Sequence, residues 1–137
     1  MSPDDESMET KATTPRDLHY RMPAEWAPHA ATWLAWPHNA EDWPGKFQPI
    51  PWVYAEIVRH LSCSEDVHIL VNNADAERRA TGLLQRGGAN QARLHFHHWP
   101  TDRVWLRDSG PIFIKNLAGK PFQIVELPMP SPVVFEG

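Results

Sequence analysis

The chain has 137 residues, 42% hydrophobic and 22% charged, with a formal net charge of −4 when its eight histidines are counted neutral. That length suits one domain with a real core, and the acidic balance offers no basic patch for nucleic acid. Its apolar runs fall well short of the about 20 residues a membrane span needs, the acidic start is wrong for a secretory leader, and a single cysteine, Cys63, fits a reducing cytoplasm.

Residues 1–18 are charged and Ser/Thr-rich with little to bury, so a disordered tail is expected, followed by one domain over 19–137. Met22–His29 holds two prolines and reads as irregular. Ala30–Trp36 is an apolar run stopped by Pro37, a buried strand. His38–Pro51 is rich in Trp, Pro and Gly and long for a connector, which marks a functional rim. Trp52–Leu61 sets apolar residues at helical spacing, with Glu56 and Arg59 on the other face. Val67–Val71 is β-branched and closes at Asn72–Asn73, a second strand. Ala74–Gln85 is a second helix, opened by the capping candidates Asn73 and Asp75 and closed by Gly87–Gly88.

Arg93–Trp99 alternates up to Pro100, a third strand. Ile112–Ile114 is a fourth, and a turn over Asn116–Gly119 lets Phe122–Val125 pair back along it. Leu127–Pro132 contains three prolines and cannot be a central strand. Strands alternating with helices describe an α/β domain with parallel pairing, to which the last hairpin adds an antiparallel edge.

The segment Thr101–Asp108 carries the most chemistry. Asp108 can accept two parallel hydrogen bonds from a guanidinium, a stronger and more directional contact than a point charge offers. Trp105, three residues earlier, presents an aromatic face on which the same planar cation can stack. The spacing sets both at a strand-to-turn junction, with Gly110–Pro111 fixing the backbone just beyond and Arg107 pairing internally. The plainer alternative is a solvated, salt-bridged turn, because Asp102, Arg103 and Arg107 share the segment. The seven tryptophans and fourteen prolines have two readings as well: bulky filler for a loop-rich core, or walls of a polar ligand pocket.

On a strand, His95 and His97 project to one face and His98 to the other. A His-x-His pair can ligate zinc, but three or four ligands are needed. No spacing singles out His29, His38 or an acid to complete the set, so no metal or other cofactor is expected and these are ordinary polar strand residues. Cys63 follows a helix C-terminus, where the dipole disfavours a thiolate, so an inert or partly buried thiol is expected. Glu136 ends the apolar Val133–Phe135 run and is a second carboxylate candidate, with a solubilising terminal acid as the equal alternative.

Met22-Pro23-Ala24-Glu25-Trp26-Ala27-Pro28-His29, Thr32-Trp33-Leu34-Ala35-Trp36-Pro37 and Trp105-Leu106-Arg107-Asp108-Ser109-Gly110-Pro111 together resemble the agmatine deiminase and bacterial peptidylarginine deiminase family, in the family's order. The resemblance implies an α/β fold, the opening portion of a five-bladed propeller of ββαβ repeats, incomplete here and with exposed edges that favour self-association. It implies hydrolysis of a guanidinium group, of agmatine or peptidyl arginine, to a ureido group and ammonia through a covalent cysteine intermediate. Asp108 matches a guanidinium-gripping, catalytic aspartate, Trp105 a substrate-lining tryptophan, and Glu136 the glutamate of a Glu-Gly motif that approaches substrate. Cys63 does not match the family's nucleophile, which is expected outside this chain, and Lys115–Glu126 is shorter than the corresponding family segment. A non-catalytic guanidinium-binding remnant is the alternative.

Overall fold

The computed structural model describes residues 14–28, 30–110, 112–118 and 123–125. In chain order the elements are β1 (Tyr20–Arg21), β2 (Ala31–Ala35), α1 (Ile50–Leu61), β3 (Asp66–Val71), α2 (Ala74–Arg86), β4 (Leu94–His98), α3 (Leu106–Ser109), β5 (Ile112–Asn116) and β6 (Gln123–Val125). Short 3-10 turns occupy Ala40–Asp42 and Gln91–Arg93. The chain forms two compact units, one of residues 28–110 and one from the segments that flank it.

In the larger unit, β2, β3 and β4 form a parallel sheet in that order, with Trp33 opposite His68 and His68 opposite His95. The connections through α1 and α2 supply the long crossovers that parallel strands require. One sheet face is the core. Leu34, Val67, Ile69, Val71, Leu94 and Phe96 pack there against Ala55 and Val58 of α1 and Ala76, Ala80 and Leu84 of α2. Val58, Val67, Ile69 and Leu84 are fully buried, and each such side chain contributes about 1.5–3 kcal/mol by leaving water.

The helix termini follow from local chemistry. α1 begins at Ile50, two residues before the predicted Trp52, because Pro49 serves as N-cap and Pro51 sits in the first turn, where a missing N–H costs nothing. Asn73 caps α2, its side-chain oxygen accepting from the Ala76 N–H at 3.0 Å, while Asp75 pairs with Arg78 one turn on. Gly87 ends α2, and Gly88 then takes φ +79°, a left-handed backbone open to glycine.

The smaller unit is an antiparallel sheet in the order β1-β5-β6. Hence the final hairpin is not an edge of the parallel sheet, as the sequence had suggested. β5 is its own sheet's centre, with β1 along one side and β6 along the other, which leaves it no free ladder to offer. The strand order β1, β2, α1, β3 reads ββαβ along the chain, but β1 pairs with β5 and not with β2. Asn116, buried, donates from Nδ2 to the Leu18 carbonyl at 3.1 Å, and the Leu117 N–H donates to His19 O at 2.9 Å. The turn before β1 starts at Thr14, whose N–H and hydroxyl both reach Asp17 Oδ2.

Candidate functional site

The predicted strand-to-turn junction at Trp105–Asp108 is instead a one-turn helix, α3, with Trp105 as its N-cap residue. Four residues give no periodicity for a pattern to reveal, so the sequence carried no signal for it. The Asp108 N–H donates to the Trp105 carbonyl at 3.2 Å, and the Gly110 N–H closes the turn onto Leu106 O at 2.6 Å. A Cβ on Gly110 would stand 2.3 Å from that oxygen, so the closure admits only glycine. Leu106 and the buried Val104 pack on Ala35 and Leu70, which fixes α3 at the carboxyl ends of β2 and β3. Functional groups of open α/β sheets gather at such ends. Asp108 is exposed there, and Trp105 is half-exposed with its indole 5.8 Å from Trp43.

The salt-bridged alternative holds for Asp102 and Arg103 but not for Asp108. Arg103 Nη1 donates to Asp42 Oδ1 at 2.5 Å, and Glu41 and Asp102 lie 3.7 and 3.9 Å from the same guanidinium. Asp108 joins no ion pair among the described residues. The Asp42 side chain is only 3% exposed, and its Oδ2 has no hydrogen-bond partner among the described residues. Its hydrogen bond raises the Arg103 pKa, and burial followed by the Asp42 charge raises that of Tyr54. Asp42 was missed in the sequence because its partner is 61 positions away.

The expected rim, 38–51, becomes the aromatic support of α3. Trp43 meets Phe47 at 6.0 Å, Tyr54 edge-on at 6.4 Å and Trp105 at 5.8 Å. His38 Nε2 and Thr101 Oγ1 share a hydrogen bond of 3.1 Å that fastens this loop to the segment leading into α3. A cleft of about 300 Å³ between Trp36, His38, Phe47 and Arg79 draws His38 and Phe47 from this same loop but is lined by neither Trp105 nor Asp108.

The other candidates do not join α3. Cys63 is exposed rather than partly buried, and its Sγ donates to the Arg59 carbonyl at 3.3 Å. His95 and His97 share one sheet face as expected, while His98 turns to Glu77 of α2 at 2.5 Å. Among the described residues no three His, Cys, Asp or Glu side chains are arranged to hold a metal ion. His29 and Glu136 lie outside the described residues.

Residues 21–118 match the family model of the Porphyromonas-type peptidyl-arginine deiminases. The chain is 32% identical over 113 residues to the agmatine deiminase of Ectopseudomonas mendocina, covering 82% of this chain and 29% of that enzyme. It is 34% identical over 107 residues to the agmatine deiminase of Stutzerimonas stutzeri, covering 78% and 27%. The chain thus spans less than a third of these relatives. Among solved structures, the fold is similar to the agmatine deiminase of Enterococcus faecalis, with TM-score 0.66 at 18% identity over 83% of this chain and 29% of that one. A variant of the C. jejuni agmatine deiminase with substrate bound gives TM-score 0.55 at 22% identity over 69% and 26%. With the family model covering most of the chain, the protein belongs to the Porphyromonas-type peptidyl-arginine deiminase family.

Proposed function

We propose that this chain supplies part of the guanidinium-binding wall of a deiminase, with Asp108 and Trp105 as the gripping pair. The observation that carries this reading is the exposed Asp108 carboxylate on a one-turn helix whose N-cap is the half-exposed Trp105. The carboxylate accepts two N–H groups of the planar cation, and the indole face attracts the same positive charge. The substrate is a linear guanidinium compound, agmatine or the side chain of a peptidyl arginine. Its guanidinium and one water become a neutral ureido group and an ammonium ion. Glu136 is the proposed second carboxylate at the substrate.

The attacking group in this scheme is a cysteine thiolate, which forms a covalent bond to the guanidinium carbon and so divides one hard displacement into two easier ones. Cys63 is not that group. It follows the C-terminus of α1, where the helix dipole opposes a thiolate, and its proton is directed at a carbonyl. The nucleophile is therefore assigned to chain beyond these 137 residues. What these residues do alone is bind, which favours guanidinium capture without turnover as the second reading. Ammonia release from agmatine tests the division: none is expected from the 137-residue chain, and robust turnover, above all turnover that survives Cys63→Ser, would contradict it.

A further inference from the structure

The sheet face opposite α1 and α2 carries a second cluster, independent of the deiminase reading; α3 packs further along the same face, over Ala35 and Leu70. Strand register sets Trp33 of β2, His68 of β3 and His95 of β4 side by side, with His97 two residues further along β4. The Trp33 ring lies 4.3 Å from His68 with planes 9° apart, and 4.9 Å from His97 with planes 22° apart. His95 flanks His68 from the other neighbouring strand at 4.8 Å. His68 Nδ1 and His97 Nε2 are 2.8 Å apart, while their ring centres are 5.1 Å apart with planes 18° from parallel. A nitrogen contact that short within that span means the two imidazoles meet edge to edge, joined by a hydrogen bond and covered by the indole.

A hydrogen bond between two imidazole nitrogens needs one proton between them, no more. The neutral pair has one. The pair carrying a single extra proton still has one between its rings, because the added proton sits on an outer nitrogen. With both rings protonated, two N–H groups face each other at hydrogen-bond distance, and the contact becomes repulsive. We propose that His68 and His97, covered by Trp33, form a proton-sensitive clasp that fastens the edge strand β4 to β3 and opens when both imidazoles are protonated.

The surroundings act in the same direction. Burial, then the neighbouring His95 and His97, hold the His68 imidazole below its ordinary range, and Asp66 opposes them weakly. The titratable groups facing His68 are Asp66 on its own strand and His95 and His97 on β4, while β2 contributes the uncharged Trp33. Asp66 Oδ2 lies 3.6 Å from His95 Nε2, so its charge is shared with a ring outside the clasp. A depressed folded-state value means the unfolded chain binds protons first. The clasp's contribution is therefore complete above the ordinary imidazole range and lost as pH falls through and below it.

The test is amide hydrogen exchange of residues 94–98 in the 137-residue chain from pH 8 to pH 5, expressed as protection factors. Wild-type β4 protection is expected to hold near neutrality and then fall about tenfold per pH unit once the second proton binds, the slope of a one-proton linkage. The variant His68→Phe/His97→Leu keeps ring and apolar contacts without titrating, and its β4 protection is expected to stay flat. Constant wild-type protection, or an equal fall in the double variant, overturns the proposal. Should that variant not fold, nitrogen-resolved titration of wild-type His68 decides: protonation of His68 below its ordinary range that coincides with β4 opening is expected. His68 protonation that goes to completion with β4 intact overturns it.

Discussion

Arg103 Nη1 donates to Asp42 Oδ1 at 2.5 Å and so ties the segment leading into α3 to the 3-10 turn at Ala40–Asp42. Asp42 is almost wholly buried and its second oxygen has no described hydrogen-bond partner, so Arg103 is its main compensation. Arg103→Gln is expected to weaken guanidinium binding about three- to tenfold, the range of one lost charge-assisted contact. The loss would be relayed through Trp105, so the conservative Arg103→Lys restores part of it. Calorimetric titration of the three proteins with agmatine checks this, and equal affinities would remove Arg103 and Asp42 from any positioning role.

Gly110→Ala acts on the same helix by a different route. The new methyl would collide with Leu106 O at 2.3 Å, so the turn that closes α3 must open. Overpacking of this kind costs about 1–3 kcal/mol, and Asp108, two residues away, moves with it. Both the denaturation midpoint and agmatine affinity are expected to fall. A variant with unchanged stability would show that the closing turn yields without cost.

Leu84→Ala separates the core from the site. Leu84 is fully buried under the parallel sheet, in the cluster with Val58 and Ile69. Truncation is expected to cost about 2–5 kcal/mol, read as a lower denaturant midpoint at unchanged slope. A loss below about 1 kcal/mol would mean that the α2 face collapses into the space.

Glu56 supplies a pH dependence of the same sign as the histidine clasp's, in a more acid range. The hydrogen bond from Arg59 is the largest influence holding its carboxyl down, at about 2, against an ordinary 4.5. Because the folded value is the lower one, the contribution is full above the ordinary carboxylate range and disappears as pH falls toward 2. In Arg59→Gln the Glu56 carboxyl is expected to titrate near its ordinary value, followed by carbon-detected NMR. The same midpoint in both proteins would show that the pair does not persist in solution.

The central sheet was legible because its segments obey strong local rules. Val67–Val71 is β-branched and was found one residue short of Asp66–Val71, and Asn73 and Gly87 bracket α2 as their capping chemistry dictates. β1 was not legible, since two residues take strand geometry only through β5, some 95 positions away. At the candidate site, Trp105 and Asp108 could be named from their chemistry, but α3 is too short to announce itself, and Asp42 and Trp43 reach it through tertiary contacts. His68 stood in a predicted strand, yet only the register brings it between Trp33 and His95. Local pattern specifies elements; which side chains meet is decided by pairing across strands.

Calorimetric titration of the 137-residue chain and of Asp108→Asn with agmatine, and with a diamine of similar length lacking the guanidinium, tests the guanidinium-wall assignment most directly. A charge-assisted pair with one cation–π contact supports a dissociation constant on the order of millimolar. The expected result is saturable agmatine binding by the wild type, at least about tenfold weaker in Asp108→Asn, with the diamine binding poorly to both. Equal agmatine binding by wild type and Asp108→Asn, or no wild-type binding at tens of millimolar, would contradict the assignment.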